Sequence, residues 1–419
     1  MRRIFVLMLC LGCIAPLKAE ADPMPTLEVR VNELTQMVKE LKGVVEQQQQ
    51  EINLLRQSKE TPPVSPAPEP SALFPRYGTK VLPEIGAVAD VALRLDSPKT
   101  DENGADRVQV REVELVLGGN VDPYSRLDST IAFTEEDIAE LEEAYLTRFE
   151  LPFDVTARVG RFKPKIGKVL PVHRDSLDTV DDPLVIQRYF GSEGMSKTGV
   201  DLTKMLDIPS PFVHQVTIGV LEGGNGEGGT AFGEVKRRPT IYGHLKNYLD
   251  ISDVTNLEIG FSDAIGSRDA DASFEVNVMG LDATLIHQLS ANQALKFQGE
   301  LFNVDRSESF IDVTDDVTGD ITQQDIDGNV WGGYGLADFR MSSQWATGLR
   351  FDYVEPVDNL LVNSNKAEIG YTGYLTFYQS EFARWRLQFS HADLVTGDDD
   401  NRVFLQGTFA IGEHKHKLQ

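Results

Sequence analysis

Basic and acidic side chains crowd together between residues 164 and 196. The basic ones are Lys165, Lys168, His173, Arg174 and Arg188, and the acidic ones are Asp175, Asp178, Asp181, Asp182 and Glu193. Charges that project into a narrow aqueous passage set which ions pass, because one sign attracts counter-ions and repels like charges. Two interpretations stay open: the stretch narrows such a passage, or it is a solvated surface loop. The mixed signs do not decide which ion is preferred.

A second set of charges alternates with apolar residues. In the run from Arg384 to Ser390, Trp385, Leu387 and Phe389 fall on one face, and the charges fall on the other. The same alternation assigns further charges to that polar face: Arg94, Arg126, Arg158, Lys246, Lys296, Arg350, Arg386, Arg402, Asp90, Asp128, Glu258, Glu300 and Asp352. Apolar-out and polar-in is the pattern of a membrane barrel with a wet lumen. The arginines favour an anion path, and the carboxylates weaken that interpretation.

The alternating segments predict an all-β fold, an antiparallel transmembrane barrel of about sixteen strands. The strands are expected near residues 86–96, 108–119, 125–134, 141–150, 154–163, 197–204, 213–222, 238–249, 254–263, 273–288, 294–304, 330–341, 344–354, 366–379, 383–393 and 401–411. Joins after even-numbered strands are short, and joins after odd-numbered strands are long and polar. This regularity places both barrel ends on the short-turn, periplasmic side.

The N-terminal residues predict export and a separate helical unit. Residues 1–21 have the layout of a cleaved secretory signal, with a lipoprotein signal ending at Cys13 as the alternative. Residues 22–58 carry a heptad pattern typical of a self-associating coiled coil, although an amphipathic helix lying on its own domain would also fit. Residues 59–83 form a Pro-rich linker, and residues 84–419 form the barrel.

Composition and motifs exclude several classes of protein. Both cysteines, Cys10 and Cys13, lie in the signal, and cleavage makes the formal net charge of −25 more negative by two, which argues against nucleic-acid binding. The Gly-rich run from Gly223 to Gly229 lacks the lysine of a P-loop and is expected to be a flexible extracellular loop. Neither the acidic loops nor His414 and His416 form a convincing metal site. We expect no enzyme activity, no metal and no cofactor.

Three segments resemble the phosphate-selective porin O and P family: Tyr145-Leu146, Gly160-Arg161-Phe162-Lys163-Pro164, and Arg188 through Val200. The resemblance covers about residues 80–419 and implies a trimeric, sixteen-stranded porin whose third loop enters the channel. Family members that take phosphate use wall arginines and constriction lysines. The resemblance therefore implies Arg158, Lys163, Lys165, Lys168 and Arg188 as pore-lining candidates, to which location adds Arg174, Arg350, Arg384 and Arg386.

The leading hypothesis is a Gram-negative outer-membrane porin, a passive channel for small hydrophilic solutes such as phosphate. Its partners would be outer-membrane lipid and lipopolysaccharide, further copies of itself in a trimer, and the solutes. One alternative is a structural barrel tethered through its periplasmic coiled coil to peptidoglycan or another envelope partner. Another is a secreted β-sandwich that acts as an adhesin or binding protein.

Overall fold

The computed structural model divides the chain into two compact units, residues 1–78 and 79–419. It describes Lys39 and residues 83–96, 107–135, 139–227, 229–268, 274–306, 310–314, 321–325, 328–357, 367–395 and 399–412. The predicted signal, the linker up to residue 82 and, apart from Lys39, the predicted coiled coil lie outside the described residues. In the described part of the chain, no helix is long and apolar enough to cross a membrane.

The second unit contains a closed antiparallel barrel of sixteen strands, as predicted. Its strands are β1 (Glu84–Asp96), β2 (Arg107–Asp122), β3 (Ser125–Phe133), β4 (Glu140–Leu151), β5 (Val155–Phe162), β6 (Lys197–Leu206), β7 (Val213–Leu221), β8 (Thr240–Ser252), β9 (Thr255–Ser267), β10 (Glu275–Ser290), β11 (Gln293–Arg306), β14 (Gly328–Arg340), β15 (Trp345–Val354), β16 (Glu368–Ser380), β17 (Ala383–Asp393) and β18 (Asp399–Gly412).

A two-stranded hairpin and a short helix were not predicted from the sequence. Strands β12 (Phe310–Thr314) and β13 (Ile321–Asp325) pair with each other outside the barrel, in the join between β11 and β14. A short helix, α1 (Leu184–Tyr189), interrupts the long join between β5 and β6. Both elements lie in joins that the sequence assigned to loops, where alternation gives no signal.

The barrel closes where β1 pairs with β18, for example through Val88 and Ala410. Closure leaves no unpaired strand edge, which a membrane-spanning sheet requires because lipid offers no hydrogen bonds. The predicted alternation is present: Leu387 is 52% exposed on the outside, whereas the neighbouring Arg386 is 2% exposed on the inside. The polar face of the strands therefore faces the lumen.

Turn lengths alternate as predicted. The joins after β2, β8, β10 and β16 contain two residues each, whereas the join between β5 and β6 spans residues 163–196. Both β1 at its start and β18 at its end lie on the short-turn side. The long joins therefore gather at the opposite end of the barrel, together with the charged stretch.

Candidate pore constriction

The join between β5 and β6, residues 163–196 and here called L3, lies inside the barrel. Its Gly167 N–H donates to Ser262 Oγ at 2.8 Å, and the N–H groups of Lys168 and Val169 donate to the Glu300 carboxylate at 2.7 and 2.9 Å. Ser262 and Glu300 are inward-facing residues of β9 and β11. The structure therefore supports the interpretation of this stretch as a loop that narrows the lumen, and the surface-loop interpretation is wrong.

Glycine is required at the bend where L3 meets the wall. Gly167 has a φ of +64°, and a Cβ atom there would lie 2.1 Å from Glu300 Oε2. Left-handed backbone is costly for residues with a Cβ, and this position leaves no room for one. The bend brings the N–H groups of the next two residues onto one carboxylate.

Wall arginines hold the segment of L3 that crosses the lumen. Arg384, Arg386 and Arg350 donate to the carbonyls of residues 175, 177 and 181 at 2.7, 3.0 and 2.8 Å. Arg111 donates to the carbonyl of Val180 at 3.0 Å. Arg350, Arg384 and Arg386 are only 2–4% exposed, so these sequence-derived candidates fasten the loop instead of facing open water.

Apolar side chains fix the next part of L3. Val185 and Ile186 of α1 are fully buried in a cluster that includes Phe302 of β11 and Val354 of β15. Beside them, Arg188 pairs with Glu368 at 2.7 Å. A buried apolar cluster within the lumen fills part of its cross-section, so L3 narrows the passage.

The Gly-rich segment behaves differently from its prediction. Gly226 N–H donates to the carbonyl of Phe190 at 2.8 Å, and Ser192 N–H donates to the carbonyl of Glu227 at 2.9 Å. A Cβ on Gly226 would lie 2.0 Å from the carbonyl of Gly194. The expectation was a flexible extracellular loop; the described backbone of this segment packs directly on L3, because the missing side chains leave room for the close approach.

Three lysines lie close together in the lumen, and two of them share one carboxylate. Lys168 of L3 and Lys246 of β8 contact the two oxygens of Glu258 at 2.6 and 2.7 Å. Lys165 donates to Thr203 Oγ1 at 3.1 Å and forms no ion pair with any described residue. The side chains of Lys168 and Lys246 stay 30% and 35% exposed. This group, here called the lysine cluster, therefore presents a net positive charge to lumen water.

A cavity of about 200 Å³ lies between L3 and strands β11, β14 and β15. Lys168, Lys296 and Arg350 line it together with Asp178, which pairs with Lys296 at 2.6 Å. Basic side chains again outnumber the acidic one. The space beside L3 is therefore large enough for water molecules, and its wall carries more basic than acidic side chains.

The other candidates are engaged in ion pairs with neighbouring carboxylates. Arg158 donates to Asp201, whose carboxylate also accepts the Tyr242 hydroxyl at 2.7 Å. Lys163 Nζ lies 3.9 Å from Glu142 Oε1, and Arg174 pairs with Glu193. These three cations therefore fix L3 and the wall around it.

Two loop groups have shifted pKa values. Burial and the charge of Arg158 lower the pKa of Lys165 to about 8, and Asp201 opposes them only in part. Burial and Lys163 also lower the pKa of His173, but the carboxylates of Glu114, Glu142 and Glu143 outweigh them and raise it well above its ordinary value.

Several residues that position L3 had no signal in the sequence. Arg111 and the pair Glu142 and Glu143 sit beside irregularities in strand pairing, at Asp90/Val91 and Thr130/Ile131. In a regular strand, two successive residues point to opposite faces, so one of Glu142 and Glu143 would lie outside the barrel. The irregularities bring both Glu142 and Glu143 to the lumen, where they contact His173.

The barrel resembles solved outer-membrane proteins. The outer membrane channel DcaP of Acinetobacter baumannii superposes with a TM-score of 0.52 at 11% identity, covering 79% of this chain and 97% of that one. The anion-selective porin of Comamonas acidovorans gives 0.52 at 8% identity, with 79% and 100% covered. OmpF of Salmonella typhi gives 0.52 at 7% identity, with 78% and 97% covered. The chain therefore shares the closed antiparallel barrel fold of these outer-membrane proteins.

At the level of sequence, the chain is similar to an uncharacterized protein of Aquifex aeolicus. The two are 28% identical over 330 residues, which are 72% of this chain and 68% of that protein. A family model described as "COMP: Cartilage oligomeric matrix protein" matches residues 26–58. That match falls within the predicted coiled-coil segment.

Proposed function

We propose that the chain is an outer-membrane channel through which small hydrophilic solutes diffuse passively, with a preference for small anions such as phosphate. The lysine cluster carries the proposal: Lys168 and Lys246 are partly exposed to lumen water with Glu258 as their shared counter-charge, and Lys165 beside them forms no ion pair with any described residue. Excess positive charge at a constriction raises the local concentration of anions and repels cations.

The barrel arginines contribute less to ion preference than their number suggests. Arg350 is paired with Asp352 at 2.8 Å, and Arg384 and Arg386 are covered by L3. Charge that is buried and hydrogen-bonded to the loop cannot contact a passing ion directly. Selectivity therefore rests on the exposed lysines, and the phosphate preference rests on the resemblance of residues 140–200 to the O and P family.

Reversal potentials in planar bilayers test the proposal. Purified protein is placed in a gradient of potassium chloride and then of potassium phosphate, and a reversal potential of the anion-selective sign is expected in both. The double variant Lys165→Gln/Lys168→Gln should shift the potential toward cation selectivity. No conductance from correctly inserted barrels would overturn the channel, and an unchanged potential in the variant would overturn the role of the lysines.

Lys204→Gln is the matched control. Lys204 lies on β6 on the same face as Val200 and Leu202, which are 45% and 48% exposed on the outer surface. Lys204→Gln removes one positive charge from the outer surface and none from the lumen, so the reversal potential of this variant should equal that of the wild type. A shift as large as that of a lumen variant would show that overall charge, and not the lysine cluster, sets the potential.

We further propose that the protein forms a homo-oligomer, a trimer by the family resemblance, with residues 22–58 in the periplasm. The match of residues 26–58 to a protein named as oligomeric supports self-association of this segment. The same segment supports a second candidate function, a tether to peptidoglycan or another envelope partner. Chemical cross-linking in intact cells tests the oligomer, because a trimer gives one ladder that ends at three copies.

A further inference from the structure

A buried cluster of carboxylates surrounds the ring of His173 where L3 meets β2 and β4. His173 Nδ1 lies 3.1 Å from Glu142 Oε2 and 3.8 Å from Glu114 Oε1. One donor atom from each of the three residues lies within 4.8 Å of the others. We propose that Glu114, Glu142 and His173 bind a divalent transition-metal ion of the Zn²⁺ type, which fastens L3 to the wall.

The distances suit a metal of this size. Bonds of about 2.0–2.2 Å in a tetrahedral site separate the ligand atoms by roughly 3.3–3.5 Å. His173 Nδ1 already lies 3.1 and 3.8 Å from the two carboxylate oxygens, and all three donor atoms lie within 4.8 Å of one another, so small side-chain shifts complete the site. One imidazole nitrogen with carboxylate oxygens favours Zn²⁺ and its neighbours, whereas Ca²⁺ and Mg²⁺ prefer ligand sets made only of oxygen.

The local charge is compatible with a divalent cation. Four buried carboxylates, those of Glu112, Glu114, Glu142 and Glu143, face the cations Lys163 and Arg174 and the ring of His173. A histidine must be neutral to bind a metal, so an ion that binds here takes the place of the proton that His173 shares with these carboxylates. The carboxylates then balance the charge of the ion.

Glu112 supplies a second, independent indication of a ligand. Its side chain is 4% exposed, and its Oε1 atom has no hydrogen-bond partner among the described residues. Its carboxylate is close enough to those of Glu114 and Glu142 for mutual repulsion. A buried oxygen without a donor costs free energy, so this atom is available to a metal or to a water bound to it.

Glu143 orients the histidine. Its Oε2 atom lies 3.0 Å from His173 Nε2, on the side of the ring opposite to Glu142. A carboxylate that accepts the second N–H of a ligating histidine fixes the ring and directs the other nitrogen at the metal. Glu143 is therefore a positioning residue for the proposed site.

Zinc titration of the full chain in detergent tests the proposal. All proteins carry His414→Gln and His416→Gln, so that the C-terminal histidines bind no metal. Isothermal titration with Zn²⁺ should give one site in this background, and elemental analysis after desalting should give one zinc per chain. Glu114→Gln and His173→Gln should each weaken binding at least about 100-fold, and Glu143→Gln about 10- to 100-fold.

His214→Gln is the control, because His214 bonds to Asn247 and Ser210 on the outer face of β7 and should leave binding unchanged. If His173→Gln fails to fold, the zinc affinity of Glu114→Gln tests the proposal instead. No zinc site in the background protein, equal affinity in Glu114→Gln, or binding of Ca²⁺ but not Zn²⁺ would each overturn the proposal. Conductance is measured separately with a chelator present, so failure of the metal site leaves the channel proposal intact.

Discussion

Arg386 of β17 donates a hydrogen bond of 3.0 Å to the carbonyl of Leu177 in L3. The guanidinium is 2% exposed and also donates to Thr376 Oγ1 at 3.1 Å. Its bond to L3 is made to the backbone of Leu177, so it restrains the path of the loop at this residue. The Leu177 side chain, 5% exposed in the buried apolar cluster, restrains the loop as well.

Arg386→Met should loosen L3. The substitution keeps much of the side-chain length but removes the donors, and an unsatisfied buried carbonyl costs about 1–3 kcal/mol. We expect larger and noisier single-channel currents and a lower thermal unfolding temperature. Arg340→Met, near a short turn where Arg340 donates to the carbonyls of Ser342 and Ser343, is the control. Currents identical to wild type in Arg386→Met would contradict a restraining role.

Anion preference should fall as the pH rises through about 8. Lys165 has a pKa of about 8, so its ammonium loses its charge above that pH. Reversal potentials measured between about pH 6.5 and 9.5 should move toward cation selectivity, with a midpoint near the pKa. In Lys165→Gln the step should disappear. A step of equal size in that variant would assign the titration to another group.

Glu258→Gln should increase anion preference. The neutral amide leaves Lys168 and Lys246 without their shared carboxylate, from which they lie 2.6 and 2.7 Å away, and so adds one net positive charge to the lumen. Reversal potentials should become more anion-selective at low ionic strength, and the difference should shrink in concentrated salt. Glu381→Gln, in the exposed turn before β17, should have no effect. A shift toward cations in Glu258→Gln would be inconsistent with the lysine cluster as the selectivity element.

The sequence predicted the strands well because alternation is a local property. Trp385, Leu387 and Phe389 mark one face of β17 within seven residues, and the barrel then follows from repetition of that pattern. L3 could not be placed in this way. Its bond from Arg386 to Leu177 joins residues 209 positions apart, and no local pattern encodes such a pair.

The candidate site was predictable in its residue types but not in its roles. Alternation correctly predicted that Arg350, Arg384 and Arg386 point into the lumen. Only the structure of L3 shows that the loop covers these arginines. The cluster around His173 depends on the shift in pairing at Thr130/Ile131, which brings two successive glutamates to one face. A pairing shift of this kind cannot be recognised from alternation, because Glu142 and Glu143 are each compatible with an ordinary strand position.

Deletion of residues 22–75 should separate channel from tether. It removes the predicted coiled coil and most of the Pro-rich linker, while every described barrel strand begins at or after Glu84. The conductance and reversal potential of one barrel should be unchanged, because the lumen contacts described above all lie within residues 84–412. Cells that carry the deletion should show reduced cross-linking between copies and, if the segment is a tether, outer-membrane blebbing. A shorter deletion of residues 61–70 keeps the heptads and serves as the control. Loss of conductance in correctly inserted barrels would show instead that the N-terminal segment is part of the conducting unit.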